Sequence, residues 1–134
     1  MRSHLLLAAL FAIAITPAFA GDLADANAAF DHKDYAKAFA LYQPLAKAGE
    51  AQAQSAIGAM YFFGNGVQRN PSRAYMWFAL AARSPSPVAT VAMTNRDIVR
   101  RQMAPSEIRD ADAMAAQCFD SRFEQCSLTQ FAAR

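Results

Sequence analysis

The sequence of 134 residues has few β-branched residues, and after its first 20 residues it lacks any long apolar run. A membrane-spanning helix needs about 20 apolar residues, so none is expected. The shortage of β-branched residues, together with abundant alanine, favours an all-helical fold. An excess of one charge is also lacking, since 13 basic residues stand against 11 acidic ones. The arginines are scattered and form no basic stripe, so nucleic acid is not an expected partner.

Residues that carry chemistry are scarce. His32 is the one histidine after residue 20, and it lies in a polar turn. A general base needs a positioned partner and a zinc site needs several converging ligands, so neither is predicted. No serine is followed three residues later by lysine, which argues against a penicillin-interactive hydrolase. Gly64-Asn65-Gly66 follows a predicted helix and predicts a turn, not a phosphate loop. We therefore predict no catalytic residues, no metal and no cofactor.

The amino terminus has the pattern of an export signal. Arg2 precedes an apolar run over residues 5–15, and Ala18-Phe19-Ala20 fits the small-x-small pattern that signal peptidase cuts. We expect residues 1–20 to be removed and residues 21–134 to form one exported domain. No cysteine near the cleavage point could carry a lipid anchor, so no membrane insertion is expected after cleavage. The periplasm is the expected location, and full secretion is the alternative.

Both cysteines, Cys118 and Cys126, belong to the exported part of the chain. In an oxidising compartment a disulfide between them is the expected state. Eight residues along a straight helix span about 12 Å, whereas bridged Cα atoms lie within about 7 Å of each other. The helix that carries Cys118 must therefore end, and the chain must turn back through residues 119–122.

Apolar spacing and capping residues predict six helices. Asp34 and Asn70 are suitable N-caps, Pro71 suits a first helical position, and Gly49 suits a helix end. The fifth helix is predicted to bury the side that carries Val91, Asn95, Ile98 and Gln102. The predicted helices cover residues 23–31, 35–48, 50–63, 71–83, 88–102 and 105–118.

An internal repeat relates the second and fourth helices. With an offset of 70 − 34 = 36 residues, Asp34 aligns with Asn70, Ala38 with Ala74, and Leu41 with Trp77. Caps therefore align with caps, small residues with small and large with large. Such a period is typical of a helical repeat protein.

The unit from Ala51 to Pro85 resembles the Sel-one-like repeat, a helix-turn-helix unit related to the tetratricopeptide repeat. The residues that carry the resemblance are Ala53, Ile57, Gly58, Tyr61, Gly64, Gly66, Val67, Asn70, Ala74, Trp77, Ala81 and Ala82. Residues 30–49 resemble the second half of a preceding unit, and residues 95–111 are similar to the closing helices of bacterial members. The resemblance implies an all-α, short α/α superhelical solenoid of about six helices, with right-handed stacking and a cap closed by the disulfide.

The resemblance also implies a protein–protein interaction module, an adaptor or accessory for a protein or peptide partner of the cell envelope. First helices of repeat units line a concave groove, where bulky apolar groups anchor partners. Phe62 points away from the Ala53–Ile57 side of its helix, with Phe63 at the flank. The predicted anchors are Met60, Phe62 and Phe63, with Arg69, Arg73 and Glu50 as rim charges. The alternative is that the fifth or sixth helix covers Phe62.

Two further hypotheses remain. A cysteine-rich branch of the family bridges adjacent helices through a Cys-x7-Cys pattern, and some members are described as penicillin-binding or β-lactamase-like. This implies a binder or hydrolase of cell-wall or β-lactam compounds. Repeat arrays usually need about three units to bury a core, and only about one and a half are recognisable here. A structural homodimer, closed through an open repeat face, is therefore the third hypothesis.

Overall fold

The structure, a computed structural model, describes residues 19–126, with side chains from Asp22 onward. This part of the chain contains six α-helices and no strand, which confirms the predicted all-helical class. The helices are α1 (Phe19–Asp31), α2 (Tyr35–Lys47), α3 (Ala51–Phe63), α4 (Pro71–Ala81), α5 (Val88–Arg100) and α6 (Pro105–Asp120). Residues 1–18, most of the predicted export signal, lie outside the described residues. The predicted cleavage point after Ala20 lies in the first turn of α1.

Side-chain caps set the starts of α2 and α4, and they recur 36 residues apart. The Asp34 carboxylate accepts a hydrogen bond from the Lys37 backbone N–H at 3.3 Å. The Asn70 side-chain oxygen accepts one from the Arg73 N–H at 3.0 Å. Both satisfy a helix N–H group that has no partner within its helix. The predicted caps are confirmed, and Pro71 occupies the first turn of α4 as expected.

The helices stack as a short solenoid with two layers. Each of α2, α3 and α4 packs against the helix before it, and contacts between α3 and α5 and between α4 and α6 join alternate helices. One layer therefore contains α1, α3 and α5, and the other contains α2, α4 and α6. This is the helical solenoid that the repeat predicts.

The core is centred on α4, which packs against α3, α5 and α6. Close approach of α3 and α4 depends on Gly58, because a Cβ there would lie 3.0 Å from the Phe78 ring. Ala38 and Ala74, which the repeat aligns, are both fully buried. Seven of the eleven α4 residues are buried: Ala74, Tyr75, Met76, Trp77, Phe78, Leu80 and Ala81.

The prediction for the buried face of α5 is wrong by one residue. Val91 is 57% exposed and Ile98 is 44% exposed, whereas Ala92 and Val99 are buried. One residue corresponds to a rotation of about 100° around the helix axis. The stripe predicted to enter the core therefore faces out of it. The physical reason is that α4 receives the Ala92–Val99 side, and among the described residues no helix covers the other.

The predicted disulfide joins Cys118 and Cys126, whose Cα atoms lie 4.5 Å apart. After α6 the chain reverses through left-handed backbone at Arg122 (φ 52°) and Phe123 (φ 67°). The Phe123 ring lies against Gly49, where a Cβ would come within 2.9 Å of it. The disulfide-closed turn therefore folds back onto the end of α2.

Candidate functional site

The inner faces of α1, α3 and α5 enclose a groove of about 540 Å³. Phe30 of α1 lines one side, Ala56 and Ala59 of α3 line its base, and Val88 and Val91 of α5 line the other side. The groove is deepest over α3, because the side chains there are small, and larger apolar side chains of α1 and α5 form its walls. This geometry gives the short solenoid the concave apolar surface that longer repeat arrays use for binding.

Polar groups of the groove are uncharged. The Tyr42 hydroxyl donates a hydrogen bond to the Asn27 side-chain oxygen at 2.6 Å, and both side chains line the groove. Burial raises the pKa of Tyr42, and the Asp31 charge adds to this rise. Gln52 and Ser55 supply further amide and hydroxyl groups. An apolar segment could therefore bind here without desolvating an ionised lining residue.

Exposed apolar residues continue this surface. Ile98 lies two turns from Val91 on the same side of α5, and both are exposed. Phe63, at the end of α3, is 67% exposed. Burying these side chains against a partner would release ordered water and favour binding. We call the groove, with Ile98, Phe62 and Phe63, the inner surface.

The predicted anchors fall into three different positions. Phe63 is exposed, and its ring meets the Phe62 ring edge-on at 5.0 Å between centroids. Phe62 is half-buried and packs against the core cluster. Met60 is fully buried, so its prediction as a partner contact is wrong. Its side of α3 faces the core, because helices α2 and α4 flank α3 on two sides.

Arg69, the third predicted rim charge, lies at the Phe62 end of the inner surface. Its guanidinium is 5.6 Å from the Phe62 ring centroid. Its Nε donates to the Phe62 carbonyl at 3.0 Å and its Nη2 donates to the Gln102 side chain at 2.8 Å. Arg69 therefore joins the end of α3 to the turn after α5 and partly covers Phe62.

Two predicted rim charges lie elsewhere. Glu50 is the N-cap of α3, and its carboxylate accepts the Ala53 N–H. Arg73 lies over the Tyr61 ring, 5.3 Å from its centroid, in a second cleft between α2, α3 and α4. Their placement on the groove rim is therefore corrected. Arg73 projects from α4, in the outer layer, and cannot reach the inner surface.

The sequence reasoning missed Val88 and Val91 as groove residues, although a signal was present. The stripe on α5 contains Asn95 and Gln102, whose side-chain amides are costly to bury without partners. That composition is more typical of a partly solvent-exposed groove wall than of a helix side buried in the core. Phe30 had no such signal, because its role depends on how α1 is placed against α3.

Potential cofactor ligands do not converge in the described part of the chain. No group of three or more histidine, cysteine, aspartate or glutamate side chains there could hold a metal ion. Helices in residues 19–126 are also too short or too polar to cross a bilayer.

The two-layered stack with its internal repeat defines a helical repeat protein. The family model of the Sel1 repeat matches residues 33–50 and 51–86, the same partial and complete units that the 36-residue offset identifies. Residues 33–86 are therefore Sel1 (Sel-one-like) repeats, and repeats of this family form helical protein-interaction modules. No curated protein and no solved structure matches the chain significantly.

Proposed function

We propose that this chain is an exported interaction protein that binds a segment of a partner protein or peptide of the cell envelope on its inner surface. The observation that supports this most strongly is the uncovered apolar side of α5, where Val91 lines the groove and Ile98 is exposed two turns further on, instead of both entering the core. Complete burial of such a side chain stabilises by about 1.5–3 kcal/mol, so these half-exposed ones would each add about 1 kcal/mol.

The groove suits a narrow apolar segment. Ala56 and Ala59 let a backbone approach α3 closely, and the amide and hydroxyl groups of Asn27, Gln52 and Ser55 can hydrogen-bond to it. Phe63 and Ile98 would then contact the partner at one end of the groove. Since no lining residue is charged, specificity would depend on shape and on Arg69 at that end.

Export is part of the proposal and is supported by the signal pattern. Cleavage after Ala20 would remove two residues from α1 and keep Ala26 and Ala29, its buried residues. Mass spectrometry of the protein from the periplasm and the medium should find Gly21 at its amino terminus. An uncleaved cytoplasmic chain would contradict this part of the proposal.

A photo-crosslinking amino acid placed at position 91 or 93 tests the binding surface in the cells that make the protein. Val91 and Met93 are both exposed on α5 and point about 200° apart, so Met93 is a matched control. We expect a discrete adduct from position 91 and none from position 93. An adduct of twice the chain's own mass would support the homodimer instead. Equal adducts from both positions, or none, would refute docking on the inner surface.

A further inference from the structure

The second cleft lies on a different side of α3 from the groove. Its volume is about 180 Å³, and a cavity of about 150 Å³ can hold a benzene ring. Phe39, Ile57 and Trp77 form its apolar wall. The disulfide-closed turn contributes Cys126 and Glu124 at its edge. The repeat helices and the carboxy-terminal cap therefore form this cleft together.

Arg73 lines this cleft, and its guanidinium is not fully hydrogen-bonded within the protein. Its Nη1 donates to the Tyr61 hydroxyl at 3.2 Å, and its guanidinium lies over the same ring. Its Nε is buried and has no hydrogen-bond partner. A buried donor without an acceptor is costly, and most buried donors in proteins are satisfied. A ligand in the cleft would meet the part of the half-buried guanidinium that lines it, and a carboxylate is the acceptor that a guanidinium binds best.

The charges around the cleft favour a monoanion. Lys47, in the last turn of α2, and Arg73 supply two positive charges, and Glu124 supplies one negative charge. Within residues 22–126 the one ion pair joins Arg96 to Asp97, so Glu124 neutralises neither cation directly. A ligand with one negative charge would balance the cleft, whereas a dianion would be repelled more strongly by Glu124.

We propose that this cleft binds the carboxylate of a small acid with an apolar body of about the size of an aromatic ring. The carboxylate pairs with Arg73, and the body lies against Phe39 and Trp77. Lys47 attracts the ligand and Glu124 opposes it. This site is independent of the groove, because Ile57 and Tyr61 face the cleft whereas Ala56 and Ala59 face the groove.

Trp77 provides the readout, since it lines the cleft and is the single tryptophan of the chain. The probe is N-acetyl-L-phenylalanine, and its primary amide is the matched uncharged control. We expect a saturable change in tryptophan fluorescence with the acid and at least about tenfold weaker binding of the amide. Inorganic phosphate, which lacks an apolar body, should bind more weakly than the acid. A short peptide that ends in free phenylalanine shows whether the acid can come from a chain terminus.

Two exposed positions give effects of opposite sign without disturbing the core. Lys47→Gln should weaken binding of the acid and Glu124→Gln should strengthen it, each by up to about fivefold at low salt. Arg73→Gln should abolish binding, with circular dichroism as the check that it folds. Equal affinity for acid and amide, an inverted effect of Glu124→Gln, or no saturable change up to about 10 mM would overturn the proposal.

Discussion

Two glycines of the α3–α4 turn permit a sharp test of how the repeat units pack. Gly64 (φ 74°) and Gly66 (φ 70°) share the left-handed conformation and differ in their surroundings. A Cβ on Gly64 would lie 3.5 Å from the Arg69 side chain, an ordinary contact. A Cβ on Gly66 would lie 2.8 Å from the Tyr35 carbonyl group, at the first residue of α2. The same substitution therefore makes an ordinary contact at Gly64 and a close contact with backbone at Gly66.

The expected losses of stability follow from this difference. The left-handed conformation costs an L-residue about 1–2 kcal/mol, and both alanine variants incur this cost. Gly66→Ala adds an overpacking cost of about 1–3 kcal/mol, because the Tyr35 peptide is fixed within α2. We therefore expect losses of about 1–2 kcal/mol for Gly64→Ala and about 2–5 kcal/mol for Gly66→Ala. Alanine also lowers the entropy of the unfolded chain, equally at both positions.

Urea unfolding followed by circular dichroism measures both losses on the exported form of the chain. Asparagine tolerates the left-handed region, so Gly64→Asn should be less destabilising than Gly64→Ala. Gly66→Asn should show no such recovery, because its Cβ meets the same carbonyl. Equal losses for the two alanine variants would refute the close approach of the turn to α2.

Three further results are expected. Gly58→Ala should destabilise by up to about 2 kcal/mol, since overpacking against the Phe78 ring costs about 1–3 kcal/mol and the gain in helix propensity offsets about 1 kcal/mol of that. Adding Phe78→Leu to that variant should recover part of the loss in a double-mutant cycle. Reducing the disulfide should cost about 2–3 kcal/mol in urea unfolding, and an unchanged midpoint would contradict this. Burial, followed by a hydrogen bond to Asp112, raises the pKa of Tyr75 above its ordinary value. Its contribution to stability is complete below the unfolded pKa of about 10 and is lost as pH rises through the folded pKa. The free energy of unfolding should fall as the pH rises above about 10, and Tyr75→Phe should make this fall smaller. If the fall is the same in the variant, groups other than Tyr75 cause it.

The sequence predicted those features that depend on neighbours along the chain. The caps Asp34 and Asn70 act within three residues of themselves, so local rules were sufficient to identify them. The 36-residue repeat fixed which helices resemble each other and hence the solenoid. The reversal between Cys118 and Cys126 followed from the length that a disulfide can span.

Features that depend on which helices pack against a given helix could not be predicted in the same way. A helical wheel gives the angle between Met60 and Phe62 but not how many sides of α3 are covered. The residues of α3 are mostly apolar on every side of the helix, so the pattern does not distinguish a core side from a groove side. Arg73 was misplaced for a related reason, since its layer depends on how α4 packs against α3.

The two concave regions differ in what closes them, and this difference relates the short array to its proposed roles. The turn after α6 folds onto Gly49 and brings Glu124 to the cleft, so the chain's own cap forms part of the edge of the outer cleft. On the inner side, no described helix lies over Val91. A chain with one and a half repeats has a small core, so apolar side chains that stay exposed to water, such as those of the uncovered α5 wall, lower its stability. That cost is consistent with an inner surface kept open for a partner and an outer cleft shaped for a small ligand.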